Sequence, residues 1–235
     1  MSLYNRRSVS GYTEEQNSFA QNDAALISFV KQTYQLFAAS LLAATVGAYV
    51  GLSTGAGVMV AQYYLGFVIL EIALLVGLFF VKAKPGINLV MLFAFTFMTG
   101  LTLTPILSRV LGMPGGGAIV AQAFLLTTII FGAMSIFALR TKKDLASMGK
   151  MLFIALIIVV IASVVNFFLG SPLLQVIIAG VGAILFSLFI AYDTQNIIRG
   201  LYDSPIMAAV SLYLDFLNLF ISLLQLLGIF GSSDE

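Results

Sequence analysis

Cysteine and histidine are both absent from the 235-residue chain, and only 9% of its residues are charged. The missing cysteines exclude disulfides and thiolate chemistry. Together with the missing histidines they exclude haem-attachment motifs and histidine metal sites. Without histidine, a response to pH near neutrality has to come from carboxyls in unusual surroundings. Net charge is +1, and the basic residues form no nucleic-acid footprint, so no nucleic-acid partner is expected. Soluble domains carry about 25% charged residues. A chain that is 60% hydrophobic reads instead as a polytopic membrane protein with the lipid bilayer as its first partner. Residues 1–30 hold no long apolar run, so no cleavable signal peptide is expected.

What is there is a series of apolar runs. They cover Thr33–Leu52, Tyr63–Val81, Ile87–Leu107, Ala118–Leu139, Met151–Leu169, Leu174–Ile198 and Ile206–Ile229. Each has roughly 19–25 residues, enough to cross a hydrocarbon core of about 30 Å as a helix. None shows the short alternation of a barrel strand. The expected fold is all-α, with seven transmembrane helices over 31–231, a polar and mobile N-terminal tail over 1–30 and a short polar C-terminal tail over 232–235. Proline or glycine marks the connectors, as in VKAKPG, GMPGGG, GSP and GLYDSP. With seven spans, every lysine and arginine except Arg109 falls on one side. The positive-inside rule then predicts a cytoplasmic N-terminus and an external C-terminus. A re-entrant last segment is the competing topology.

Acids inside such spans are expensive unless protonated, paired or wetted. Asp193 lies near the end of the sixth span and Asp215 lies in the seventh, about 14 Å along a helix from Ile206. The short turn between the spans makes them antiparallel neighbours, so the two carboxyls can meet. Close carboxylates rarely both ionise, and such a pair shares a proton. Ser211, Asp215, Asn218, Ser222 and Gln225 follow helical spacing and share one face. That face reads either as the lining of an ion or proton path or as hydrogen-bonding glue between helices. Glu71 sits among apolar residues in the second span and has the same two readings. Asn166 and Ser163 read as packing groups. Arg199 and Asp203 read as a pair at the cytoplasmic rim, either exposed or part of a gate.

Enzyme signatures are missing. There is no HExxH, no GxSxG, no lysine inside a span for a retinal Schiff base, and no phosphate loop in GMPGGG. An intramembrane aspartyl protease needs a GxGD segment, whereas Asp215 stands in YLDFLN. The expectation is a protein that is not an enzyme.

The segments AYDTQ (Ala191–Gln195) and SLYLDFLNLF (Ser211–Phe220) resemble the Bax inhibitor-1 family. So do RTKKDLASMGKMLFIAL (Arg140–Leu156) and VNFFL (Val165–Leu169), and the likeness runs over residues 25–231. The resemblance implies six helices around a central seventh in the bacterial inner membrane. It also implies a pH-sensitive calcium leak whose sensor is the aspartate pair, here Asp193 and Asp215. Other relatives in that family associate with a membrane protease, so a non-conducting interaction protein is the alternative, and calcium–proton exchange a third reading. Two carboxylates with asparagine or water can hold Ca²⁺ weakly and transiently, as a permeant ion. They fall short of the six to eight oxygens of a tight site, so no tightly bound cofactor is expected. A monomer is compatible with all of these readings.

Overall fold

The computed structural model describes the backbone of residues 3–231 and the side chains of residues 23–229. The expected tail at 232–235 lies outside the described residues. The chain folds as α1 (Leu3–Ser53), α2 (Ala56–Gln62), α3 (Tyr64–Val81), α4 (Ile87–Thr102), α5 (Thr104–Leu111) and α6 (Gly116–Arg140). A 3-10 turn (Leu145–Met148) then leads into α7 (Gly149–Leu169), α8 (Pro172–Ile198) and α9 (Pro205–Gly231). Seven stretches are long and apolar enough to cross a membrane: Asp23–Ser53, Tyr64–Val81, Ile87–Leu111, Gly116–Arg140, Leu145–Leu169, Pro172–Ile198 and Pro205–Ile229. The protein is therefore an all-α polytopic membrane protein. α9 is one unbroken helix of 27 residues, which removes the re-entrant alternative.

Three local features differ from the sequence expectation. The polar residues after Leu3 are helical and continue into the first span. The first connector contains the short helix α2. The third span is broken at Leu103, between α4 and α5. Pro105 causes the break, because it has no N–H to give to the carbonyl of Leu101. The Thr104 hydroxyl takes over that carbonyl at 2.6 Å. The backbone ladder resumes on either side, with Leu103 N on Thr99 O at 3.0 Å and Leu107 N on Leu103 O at 3.0 Å.

α9 is the centre of the bundle. In its apolar stretch 61% of residues are buried, against 33% or less in every other span. It packs on α1, α4, α6 and α8, while α3 lies on α4 and α7 lies on α8. Leu212, Tyr213, Leu219 and Leu224 of α9 are fully enclosed. Phe80 of α3 and Phe168 of α7 stand out toward lipid. In hydrocarbon the association of helices rests on van der Waals fit and buried polar bonds. Both are visible. Phe37 of α1, Phe131 of α6 and Phe216 of α9 form a three-ring cluster with centroids 5.0 to 5.9 Å apart. α1 and α4 come so close that a Cβ on Gly100 would lie 2.0 Å from the Ala44 carbonyl oxygen.

Candidate functional site

The two aspartates of the sequence motifs face each other across α8 and α9. Asp193 is 6% exposed and Asp215 is 5% exposed. Their carboxyls lie within hydrogen-bonding reach of one another. The turn between the helices makes this possible. Gly200, at φ 66°, takes the left-handed conformation that ends α8. Leu201 N bonds Asn196 O at 2.9 Å and Gly200 N bonds Ile197 O at 3.0 Å, the two bonds of a Schellman motif. Pro205 then opens α9, where its missing N–H costs nothing.

Tyr202 hangs from this turn back onto the pair. It lies within hydrogen-bonding reach of Asp193 on one side and of Ser211 on the other. Burial first, and then the Asp193 charge, push the Tyr202 hydroxyl above its ordinary range, so it stays a neutral donor. Oδ2 of Asp215 is enclosed and has no hydrogen-bond partner. The site thus holds two acids, one phenol donor and one carboxyl oxygen without a partner.

A polar rim closes the same end of the bundle. Gln195 Oε1 accepts from Leu145 N at 2.7 Å, and its Nε2 donates to Lys143 O at 3.0 Å. These bonds fasten the α6–α7 connector over the end of α8. Asp144 caps the 3-10 turn through Ala146 N at 3.1 Å and pairs with Arg199. Asp203 pairs with Lys82 of the α3–α4 connector. The expected Arg199–Asp203 pair is therefore not formed. Arg199 caps α8 while Asp203 follows the Gly200 reversal, so their side chains diverge to separate connectors. The Ala146 amide and then Arg199 hold the Asp144 carboxyl below its usual range. Lys82 does the same for Asp203. Sequence reading assigned no site role to Tyr202, Lys82 or Asp144. The only signal for them was their position in the connectors that flank the acid pair.

The other stripe residues serve different neighbours. Ser211 belongs to Tyr202. Ser222 is buried against α8, where a Cβ on Gly182 would lie 2.7 Å from its hydroxyl oxygen. Gln225 Oε1 accepts from Gln175 Nε2 at 2.7 Å, and Gln175 Oε1 accepts from Asn166 Nδ2 at 2.9 Å. Asn166 Oδ1 accepts from Ser171 N at 3.0 Å, completing an amide chain across α7, α8 and α9. Asn218 donates to Leu214 O at 2.7 Å within its own helix. It also borders a cavity of about 250 Å³ between α3, α4 and α9 that Glu71, Thr99 and Thr102 share. Glu71 lies within hydrogen-bonding reach of Thr102, and its Oε1 is enclosed without a partner. The stripe is thus no single continuous lining. Among the described residues no three carboxylates, histidines or cysteines gather as a metal site would require, which leaves Asp193 and Asp215 as two oxygen donors.

Comparison with known proteins places this geometry in a family setting. Residues 26–232 match the family described as inhibitor of apoptosis-promoting Bax1. A Helicobacter pylori (strain J99) protein of unassigned function is 58% identical, with all of both chains aligned. The inner membrane protein YbhL of Escherichia coli K12 is 32% identical over 90% of this chain and 96% of its own. The modulator of FtsH protease YccA, also from Escherichia coli K12, is 37% identical over 71% of this chain and 76% of its own.

Proposed function

The chain belongs to the Bax inhibitor-1 family, the inhibitors of apoptosis-promoting Bax1, and we propose that it is a cation leak, chiefly for Ca²⁺, opened and closed by the proton on its aspartate pair. The observation that carries this reading is the enclosed contact of Asp193 with Asp215 at the junction of α8 and the central helix. With one shared proton, the pair is a hydrogen bond that clamps two helices. Without it, two like charges face each other. At an effective dielectric of about 20, unit charges about 4 Å apart repel by about 4 kcal/mol. Repulsion of that size acts directly across the α8–α9 junction and drives the two helices apart there. The freed carboxylates then offer oxygen to a passing cation, transiently, since Ca²⁺ takes six to eight such ligands. The same groups exchanging Ca²⁺ for protons would make an exchanger. No catalytic step belongs to this reading.

The proposed setting is the bacterial inner membrane, as the name of YbhL suggests, with the lysine- and arginine-bearing end in the cytoplasm. Because the chain has no native cysteine, single cysteines test this directly. A Ser147→Cys protein in whole cells should resist a membrane-impermeant maleimide and react once the cells are opened. Reaction in intact cells would reverse the topology.

A second reading has its own observation. YccA is named a modulator of FtsH protease, so this chain would bind a membrane protease and conduct nothing. Ca²⁺ uptake into vesicles holding only the purified protein separates the two. Uptake above empty vesicles supports the leak. Absence of uptake by folded protein, with recovery of a membrane protease from crosslinked cells, supports the modulator.

A further inference from the structure

A second cavity, of about 400 Å³, opens at the rim between α1, the α3–α4 connector and the first turn of α9. Its lining mixes polar groups, Gln32, Gln35, Lys82 and Asn88, with apolar ones that include Leu36 and Leu89, so an occupant meets both kinds. Asn88 is only 9% exposed. Its Nδ2 donates to the Lys82 carbonyl oxygen at 3.0 Å, which fixes the amide so that it cannot turn over. Its Oδ1 is left enclosed without a partner. A hydrogen-bond donor brought to this atom would satisfy it.

The remaining polar groups ask for negative charge. Lys82 has three donors and gives one to Asp203, which offsets its charge without using up its hydrogens. Pro205 and Ile206 at the start of α9 border the same space. The amides of Ile206 and Met207 precede the first backbone bond of the helix, Ala208 N on Ser204 O at 3.1 Å. First-turn amides and the positive helix end favour an anion. The cavity lies toward the Lys82-bearing end of the apolar stretches of α1, α4 and α9, near headgroup level in a bilayer that those stretches would span.

We propose that this cavity binds an anionic phospholipid whose headgroup carries a free hydroxyl. The phosphodiester sits on Lys82 and the α9 first turn, the hydroxyl donates to Asn88 Oδ1, and an acyl chain runs along Leu36 and Leu89. Native mass spectrometry of the full chain in detergent, titrated with defined lipids, tests this independently of any ion flux. Phosphatidylglycerol should bind about five-fold more tightly than phosphatidylmethanol, which has the same charge and no hydroxyl, one hydrogen bond being the difference. Phosphatidylcholine should bind more weakly than either. Lys82→Gln should weaken phosphatidylglycerol about five-fold, and Lys82→Arg should restore it. Millimolar glycerol 3-phosphate should not displace the lipid. Equal binding of phosphatidylglycerol and phosphatidylmethanol, or binding indifferent to Lys82→Gln, overturns the site. Displacement by glycerol 3-phosphate overturns the lipid as its occupant.

Discussion

The two ends of the α8–α9 interface solve one problem in two ways. Both set polar side chains between the helices, buried at the acid end and partly buried at the other. At one end Asn166, Gln175 and Gln225 join head to tail, with distances of 2.7 to 2.9 Å between the side-chain amides. These groups are neutral at every accessible pH. At the other end Asp193 and Asp215 meet, and an oxygen of Asp215 remains unused. Amides would have clamped the helices there equally well. Hydrogen-bonding glue therefore needs no acid. An acid pair adds what an amide chain cannot have, a proton that can leave.

The largest expected effect comes from erasing that difference. Asp215→Asn and Asp193→Asn each turn the acid end into an amide end. Each should remove the pH dependence of Ca²⁺ flux in vesicles while the protein stays folded. Persistence of the wild-type pH profile in both variants would take the pair out of the mechanism.

The converse change acts on the amide end. Gln225→Leu leaves Gln175 Nε2 without its acceptor. Stability should fall by about 1 kcal/mol, the scale of a buried hydrogen bond between membrane helices. Thermal unfolding in detergent reads the loss. The flux–pH profile of the folded fraction should not move, and a moved profile would mean that the two ends are coupled.

A smaller effect is expected from Tyr202→Phe. It removes the hydroxyl beside Asp193 and leaves the ring. A donor there favours the charged carboxylate. Its loss should therefore move the flux–pH midpoint upward by about half to one pH unit, the equivalent of one hydrogen bond. A downward shift would show that Tyr202 supports the protonated pair.

The smallest effect is expected at the rim. Asp144 is held below its ordinary range by Ala146 N and Arg199. A carboxyl lowered by folding contributes stability that is complete above its unfolded value, about 3.9, and is lost as pH falls through the folded value. Arg199→Gln should thus lower thermal stability slightly and by the same amount throughout pH 5 to 8, because the pair is exposed, with the gap to wild type closing only in more acid solution. A midpoint change near neutrality in this variant would move part of the pH response from the pair to the rim.

Much of the architecture was legible because lipid imposes it. The apolar run lengths place seven spans, whereas the central place of the last one was implied by the family resemblance. The acid contact follows from chain connectivity, since the Gly200–Pro205 turn leaves α8 and α9 no other neighbour arrangement. Residue spacing failed where partners come from afar. Arg199 and Asp203 are close in sequence, yet their partners Asp144 and Lys82 lie 55 and 121 residues away. Gln225 kept both readings, path lining or glue, because its acceptor role toward Gln175, 50 residues earlier, has no trace in local pattern. The helical start of α1 was hidden for another reason. Polarity speaks to what a helix faces, and says little about whether the backbone is helical.

The central claim is that one proton at Asp193–Asp215 sets the conducting state. Its most direct test is Ca²⁺ uptake into vesicles of purified protein from about pH 5 to 8, wild type beside Asp215→Asn, with circular dichroism confirming the helices. Uptake that varies with pH in the wild type and runs flat in the variant is the predicted result. Uptake with the same pH dependence in both proteins would contradict it.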